Sequence, residues 1–360
     1  MQLRIEPRAA ASLRMRYASP LIATGLTLLM GFVLFAALGK NPLAAFHAFF
    51  IAPVSSLNGV AELLLKAAPL VLIATGLAVG FRANVWNIGA EGQLTIGAIV
   101  AGGMALLPAA SDGPAWLLPL MIAAGALGGM AWAAVPAFLR TRFNANEILV
   151  SLMLTYVAQL LLSYLVHGPW RDPQGFNFPQ SPLLPDAALL PILLNGTRLN
   201  AGVLFAVVAV VAAWVFLGKS FRGYQMRVAG LSGEAAHYAG FSARQTIWIG
   251  MLAGGAAAGL AGVGEVAGPL GQLLPTVSPG YGFAAIIVAF VGRLHPPGIL
   301  LAGLLMSLLY LGGDAAQISM GLPAATTALF QGALLFFLLG ADLFIGYRVR
   351  LVPGAKEIPQ

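Results

Sequence analysis

The chain contains no cysteine, and only 9% of its 360 residues are charged. The missing cysteine excludes disulfides, thiolate metal sites and a cysteine nucleophile. The four histidines lie far apart in the sequence, so neither a metal site nor another cofactor is expected. A soluble domain carries about 25% charged residues. With 59% hydrophobic residues and a mean hydropathy of +0.87, the composition therefore predicts an all-α polytopic membrane protein.

The few charges are mostly positive, and the net charge is +7. A basic chain can indicate a nucleic-acid partner, but Lys and Arg also collect in the cytoplasmic loops of membrane proteins. We alternated ten predicted crossings from a cytoplasmic N-terminus, and 15 of the 19 basic residues then fall inside. Lys40, Lys66, Arg171 and Arg198 are the four that fall outside. This bias predicts that both ends are cytoplasmic and that lipid, not nucleic acid, surrounds the chain.

Apolar runs predict the ten crossings. Residues 1–19 form a cytoplasmic N-terminus, and the apolar run 21–38 after it is longer than the 7–15 residues or so of a signal-peptide core, so it is expected to stay as a span. Residues 341–360 form a cytoplasmic tail, and the whole chain 1–360 is predicted to be one transmembrane domain. The predicted crossings are 20–39, 67–81, 85–107, 115–138, 147–166, 201–218, 245–263, 281–292, 297–313 and 323–340.

Two of these runs, 67–81 and 281–292, are shorter than the 20 residues or so that a full crossing needs. Each adjoins a glycine-rich, partly polar stretch, which is typical of broken helices along a transport path. The spacing repeats in two halves, residues 20–200 and 201–340, and five crossings in each predict an inverted second half. Glycines four residues apart predict close helix packing, as at Gly125 and Gly129 and at Gly255 and Gly259.

Polar residues near these breaks are candidates for the transport path. Asn84, Asn87, Glu91 and Gln93 lie within ten residues of each other, and a carboxylate at the bilayer centre costs about 2.5–3.5 kcal/mol unless it faces a partner or a cavity. Each of these residues alone also fits a helix cap. The same alternatives apply to two further acidic residues, Glu147 and Glu265; Glu147 follows Asn146, which favours an N-cap with an acidic first turn over a gate.

Two stretches outside the spans are distinctive. The outer loop 167–200 contains six prolines, which argue against a long helix, and it either receives a partner protein or only connects spans. The inner stretch 219–244 is basic and rich in Gly and Ala, and Gly230 to Gly240 predicts a short helix that docks on a cytoplasmic partner or lies on the membrane. Residues 213–220 miss the phosphate-binding loop pattern because Ala213 stands where a Gly is needed. Any ATP hydrolysis would therefore occur on another chain.

Four stretches, 81–93, 144–158, 230–242 and 280–298, together resemble permease subunits of bacterial nucleoside ABC importers, a branch that also contains ribose and other simple-sugar permeases. The resemblance implies the vitamin-B12-type importer fold in the bacterial inner membrane. It also implies a cytoplasmic ABC ATPase, a second homologous permease and an extracytoplasmic substrate-binding protein as partners. Thr155 is also expected in the lining of the path, but it departs from the pattern, because Asn is expected there, and such a change in the polar lining would alter substrate preference. The implied coupling helix to the ATPase contains Gly230, Ser232, Gly233, Glu234, Ala235, Ala236 and Gly240, and the implied path residues are Asn87, Glu91 and Gln93.

We therefore predict an inward nucleoside permease without catalytic activity of its own, with a simple-sugar permease as the alternative. A secondary transporter would instead use Glu91, Glu147 or Glu265 as a proton carrier and would not need the stretch 219–244. A membrane enzyme ranks last, because no His/Asp, Ser/Lys or metal-ligand set converges in the predicted spans.

Overall fold

The computed structural model describes residues 2–8, 12–107, 110 and 113–352. Two π-helical turns, His47–Ile51 and Val266–Leu270, and two 3-10 turns, Ala52–Val54 and Asp186–Ala188, accompany the helices and strands. The elements in chain order are β1 (Gln2–Pro7), α1 (Leu13–Ala37), α2 (Pro42–Phe46), α3 (Leu57–Phe81), α4 (Ala90–Ala105), α5 (Leu117–Phe143), α6 (Glu147–His167), α7 (Gly202–Lys219), α8 (Phe221–Leu231), α9 (Gly233–Tyr238), α10 (Ala243–Glu265), α11 (Tyr281–Val291), α12 (Pro296–Met320), α13 (Ala325–Gly346) and β2 (Tyr347–Val352).

Eight helices in the described part of the chain are long and apolar enough to cross a membrane. They correspond to eight of the ten predicted runs, which confirms an all-helical polytopic membrane protein. The other two runs correspond to the short helices α4, with 16 residues, and α11, with 11. The prediction that 281–292 is too short for a full crossing is therefore confirmed.

The prediction that residues 67–81 form a short run is wrong, because α3 has 25 residues and begins at Leu57. Its first turn is capped by Ser56, whose Oγ accepts a hydrogen bond from Gly59 N at 3.0 Å. Glu62 lowers the local hydropathy without ending the helix, since its carboxylate accepts two hydrogen bonds from Arg198, at 2.8 Å each. These bonds raise the pKa of Arg198 above its ordinary value.

The chain divides into two compact units, and the first comprises Met1–Ala52 and Gly312–Gln360. Within it α1 packs along α13, and the rings of Phe35, Phe49 and Phe330 are in mutual contact at centroid distances of 4.9–6.3 Å. β1 pairs antiparallel with β2, from Gln2 opposite Val352 to Pro7 opposite Tyr347. The sequence analysis did not predict this sheet or the helical residues 42–54, because neither is an apolar run long enough to span.

The second unit, Pro53–Leu311, is built around the antiparallel neighbours α3 and α10. α4 and α5 pack against α10, while α11 packs against α3. Glycines make the α5–α10 contact close: a methyl group on Gly259 would overlap the carbonyl oxygen of Gly125, and one on Gly255 would meet Gly129. The packing predicted from these glycine pairs is confirmed, and it needs no ligand to explain the glycines.

Replacing Gly259 by Leu is expected to lower the free energy of unfolding by about 1–3 kcal/mol, because the side chain has no space between α5 and α10. Thermal unfolding in detergent micelles measures the effect. Gly218→Leu is the matched control, since a methyl group there meets nothing within 4 Å. Equal melting temperatures for the two variants would contradict the close packing.

Two breaks interrupt the helices of this unit, residues 82–89 between α3 and α4 and residues 266–280 between α10 and α11. The outer loop lies along the second break, where its backbone donates from Ser181 N to Leu273 O at 3.0 Å and from Leu190 N to Ala267 O at 2.7 Å. Its only helical turn among the described residues is Asp186–Ala188, so the predicted absence of a long helix is confirmed. Both breaks contribute to the site described next.

Candidate functional site

The first break, residues 82–89, is called the linker. Asn84 closes α3 with a left-handed backbone, φ +55°, which asparagine tolerates better than most residues. The extended residues after it donate backbone hydrogen bonds to side chains on one face of α6. Ile88 N donates to Ser151 Oγ at 3.2 Å, and Trp86 N lies 3.5 Å from Glu147 Oε1. The backbone donors of residues 82–85 therefore bond to carbonyl groups of α3, whereas those of Trp86 and Ile88 are satisfied by side chains of α6.

Glu147 and its neighbours explain how α6 holds the linker. Asn146 caps α6 by accepting from Ile148 N at 2.9 Å and from Leu149 N at 3.3 Å, as the N-cap interpretation predicted. The Glu147 carboxylate forms an ion pair with Arg140 of α5. Glu147 thus joins the end of α5, the start of α6 and the linker at one point.

A buried amide pair connects the linker to α4. Asn87 Nδ2 donates to Gln93 Oε1 at 2.8 Å, and Gln93 Nε2 donates back to Asn87 Oδ1 at 3.0 Å. Asn87 Oδ1 also accepts from Gly89 N at 3.1 Å. The two side chains are 2% and 1% exposed, so this reciprocal bonding offsets the cost of burying two amides.

Glu91 lies in the first turn of α4, and its carboxylate reaches the beginning of α11. Oε2 accepts from Gly282 N at 2.6 Å, and Ser278 and Gly280 also donate to this carboxylate. A side chain on Gly282 would overlap the backbone of Glu91, so the two helix starts are in direct contact. The buried carboxylate thus accepts hydrogen bonds at the positive ends of two helix dipoles.

A cavity of about 230 Å³ opens beside this carboxylate. No Lys, Arg or aromatic residue is among the described residues that line it. Hydroxyl and amide groups therefore dominate its surface and suit an uncharged, hydrogen-bonding solute. The lining residues are Glu91, Thr95, Gln159, Leu162, Pro275, Thr276, Val277 and Ser278.

Sequence reasoning missed most of this lining. Gln159 is an exposed amide in the apolar helix α6, about 18 Å along the axis from Glu147 at 1.5 Å per residue. A lone amide in the middle of a span is itself a signal, because it needs a polar neighbour there. Thr276 and Ser278 carried no such signal, since their position depends on how the second break folds against α4.

The structure places two other predicted path residues away from the cavity lining. Thr155 is fully buried and packs on Gly92 of α4, and its Oγ1 donates to Ser151 O at 3.2 Å. Glu265 lines a separate cavity of about 20 Å³ together with Asn200. Glu265 remains within electrostatic range of Lys66 and Glu91.

Asn84 contacts the inner stretch 219–244 instead of its neighbours Asn87 and Gln93. Its Nδ2 donates to the carbonyl oxygen of Gly230 at 3.0 Å, near the end of α8. Gly230 also packs directly on the backbone of Arg82 and Ala83, where a methyl group would overlap. The linker therefore touches both the cavity side of the site and the inner stretch.

The predicted short helix within 230–240 is present as α9. Ser232 caps it by accepting from Ala235 N at 3.2 Å, and Gly240 follows it with φ +75°. Of the predicted docking residues, Gly233, Glu234 and Ala235 are exposed, whereas Ala236 is buried against the rest of the chain. Two large apolar side chains not singled out from the sequence are fully open, Leu231 at 89% exposure and Tyr238 at 96%.

Comparison with known proteins supports a transport role. A family described as "Branched-chain amino acid transport system / permease component" matches residues 59–339. The glucose ABC transporter permease protein TsgB13 of Haloferax volcanii is 38% identical over 97% of this chain and 94% of its own length. The guanosine ABC transporter permease protein NupP of Bacillus subtilis is 30% identical over 93% of this chain and 95% of its own length. The nucleoside ABC transporter permease protein NupB of Lactococcus lactis is 29% identical over 89% of each. No solved structure matches.

Proposed function

Because the chain belongs to the family of the branched-chain amino acid transport system permease component, we propose that it is the permease of an importer that moves nucleosides inward. The resemblance to nucleoside and simple-sugar ABC permeases is confirmed, and such permeases are transport components and not enzymes. ATP would be hydrolysed by a separate subunit.

The observation that carries the substrate class is the lining of the cavity beside Glu91. Its polar groups are hydroxyls, an amide and one carboxylate that is already bonded to the start of α11. A nucleoside has hydroxyl and amide-like groups that such a surface can bond, and it has no charge to be repelled. Relatives named for guanosine and for nucleosides support this choice.

A simple sugar is the second candidate. The relative with 38% identity is named for glucose, and the described lining has no aromatic ring on which a base would stack. Both candidates share the same chemistry, an uncharged solute rich in hydroxyl groups. The phosphorylated forms of either solute do not fit, because a phosphate would meet the Glu91 carboxylate with no cation among the described lining residues.

The two helix breaks, residues 82–89 and 266–280, support a more specific proposal for the fold. We propose the vitamin-B12-type importer architecture with ten crossings, in which α4 and α11 are the two short ones. In support, the long helices α3 and α10 pack on each other, and each short helix packs on the long helix of the other half: α4 on α10, and α11 on α3. Such an exchange is expected of two inverted halves, residues 20–200 and 201–340. The β1–β2 pairing requires both ends of the chain to lie on one side, which we propose is the cytoplasm. Residues 1–360 would then be a single permease domain.

The partners follow from this architecture. We propose that α9 and its exposed neighbours dock on a cytoplasmic ATPase, that a homologous permease completes the path, and that an extracytoplasmic binding protein delivers the solute. Asn87, Glu91, Gln93, Thr95 and Gln159 would line or shape the path. Glu147, Thr155 and Glu265 would support it from the neighbouring helices, and Asn84 would lie at its inner end.

Uptake into vesicles tests the substrate class. With the chain, a partner permease, the ATPase and the binding protein reconstituted together, labelled guanosine is expected to enter in an ATP-dependent manner. Guanosine monophosphate should enter at least about tenfold more slowly, because like charges facing each other at close range cost several kcal/mol.

The controls separate the competing functions. Uptake of glucose without guanosine would favour the sugar candidate, and uptake of the monophosphate at the rate of guanosine would contradict the cavity argument. Accumulation by this chain alone, driven by a pH gradient without nucleotide, would overturn the importer proposal and favour a secondary transporter.

A further inference from the structure

We infer that the linker, residues 82–89, transmits movement of α9 to both short helices at the cavity, α4 and α11. The inference rests on the proposed function and adds to it the internal route of coupling. It assigns positioning roles to Gly230, Asn84, Trp86 and the Asn87–Gln93 pair, none of which contacts the solute from a lining position.

The contact between the inner stretch and the linker is made of backbone. Gly230 is the next-to-last residue of α8 and lies three residues before α9 begins. A methyl group at Gly230 would overlap the Arg82 carbonyl and approach the Ala83 Cα, and Asn84 Nδ2 holds the Gly230 carbonyl at 3.0 Å. Since no flexible side chain separates the two backbones, a displacement of α9 is passed on without being absorbed.

The middle of the linker contacts the far end of α11. The Trp86 ring stacks on Phe290 at a centroid distance of 5.8 Å and an interplanar angle of 19°, and both rings contact Phe81. Arg82 Nε donates to the Leu294 carbonyl at 2.9 Å, in the turn that follows α11. A displacement of the linker would therefore pull on α11 through an aromatic contact and a hydrogen bond.

The turn after α11 has a strained backbone, as expected of a segment that switches between two conformations. Arg293 and Leu294 both have left-handed backbones, at φ +59° and +52°, and Leu in particular rarely adopts this conformation. Backbone strain of this kind persists only where the surroundings hold it, and it is concentrated at switch regions. The hydrogen bond from Arg82 is part of what holds the turn here.

The other end of the linker is bonded to α4. The Asn87–Gln93 pair joins the linker to the second turn of α4, next to Glu91 and its bond to Gly282 of α11. Linker movement thus reaches α4 through the amide pair and α11 through Trp86 and Arg82. The helix starts that meet at the Glu91 carboxylate would separate or approach, and the cavity would change with them.

The natural absence of cysteine allows a direct test. A single Gln159→Cys reports on the cavity through its rate of maleimide labelling in the assembled complex, with and without a non-hydrolysable ATP analogue. In the parent, nucleotide is expected to change this rate by about 5–150-fold, the usual range of coupling between two sites. Gly230→Val is expected to remove that change in complexes that have assembled with the ATPase.

Gly218→Val is the matched control, because a methyl group at Gly218 meets nothing within 4 Å. Should Gly230→Val fail to assemble, Asn84→Gly replaces it. Gly accepts the left-handed backbone at this exposed position and removes the hydrogen bond to Gly230, so the variant is expected to reduce the nucleotide-dependent change. The inference is overturned if the variant that assembles keeps the parent's full response, or if the parent shows no response at Gln159→Cys. Neither result touches the proposed function, which fails instead if the parent complex does not import the solute.

Discussion

Tyr238→Ala is expected to weaken binding of the ATPase to this chain by at least about thirtyfold and to abolish uptake at ordinary subunit concentrations. The Tyr238 side chain is 96% exposed and is the last residue of α9. Interface residues whose truncation costs about 2 kcal/mol or more are enriched in Tyr, and 2 kcal/mol corresponds to about thirtyfold in a dissociation constant. Leu231, 89% exposed on the other side of Ser232, is the second expected anchor.

The reason for choosing these two residues is the orientation of α9. Ala236 is buried and holds the helix against its own chain, so the face that carries Glu234 and Ala235 is the one presented outward. Small residues on that face allow close approach, and the two large apolar side chains at its ends supply the area that a stable contact needs. Exposure of a Leu and a Tyr to water is unfavourable, and a partner protein that covers these side chains would remove that cost.

Affinity is measured between the purified ATPase and the chain in lipid nanodiscs, and uptake is measured in the same preparations. Tyr347→Ala serves as the matched control, because Tyr347 is also an exposed tyrosine, at 45%, but lies in β2. Full ATPase affinity in Tyr238→Ala would mean that α9 is not the docking element. Loss of affinity in both variants would mean that the effect is not specific to α9.

Hydropathy predicted the spans because burial in lipid imposes the same requirement on every crossing helix. It failed where a charged residue is paired elsewhere in the fold. Glu62 and Lys66 made α3 look short, and only the structure shows Arg198, 136 positions later in the sequence, bonded to Glu62. β1 and β2 could not be predicted for a related reason, since their pairing joins the two ends of the chain.

The candidate site was predictable only in its local part. Asn87, Glu91 and Gln93 stand within seven residues, so their density near a glycine-rich break was visible in the sequence. Asn84 looked like a fourth member, but its left-handed backbone and its bond to Gly230 place it on another face. Gln159 stood out only as a lone amide in an apolar helix, and Ser278 could not be assigned, because it joins Glu91 only through the packing of the second break on α4.

After Tyr238→Ala, the largest expected loss of uptake is that of Glu91→Ala, because the Glu91 carboxylate holds the starts of α4 and α11 together. Its removal leaves the Gly282 amide without its 2.6 Å acceptor in a buried position and removes an acceptor for the Ser278 hydroxyl, while Gly280 N keeps Ser278 Oγ at 3.1 Å. A buried donor left without a partner costs about 1–3 kcal/mol, and loss of a helix cap costs about 1 kcal/mol. The variant should therefore unfold at a lower temperature, and its ATP-dependent uptake should be lost.

Glu91→Gln separates the geometry of the carboxylate from its charge. The amide oxygen of Gln can still accept from Gly282 N, so most of the stability should return. The charge that complements the two helix dipoles is gone, however, and the amide group adds donors where only acceptors were needed. We therefore expect intermediate uptake, together with a smaller difference between guanosine and its monophosphate, because the carboxylate that repels phosphate is absent.

Thermal unfolding of the isolated chain and uptake by the full complex are measured for both variants. Glu6→Ala is the control, since the Glu6 carboxylate also accepts a hydrogen bond, from Arg348 Nη2 at 3.3 Å, but in the terminal sheet, where such an ion pair contributes about 0–1 kcal/mol. An unchanged melting temperature in Glu91→Ala would show that the carboxylate does not join α4 to α11. A monophosphate that is still excluded in Glu91→Gln would show that another group sets the charge selectivity, and the cavity beside Glu91 would then no longer explain it.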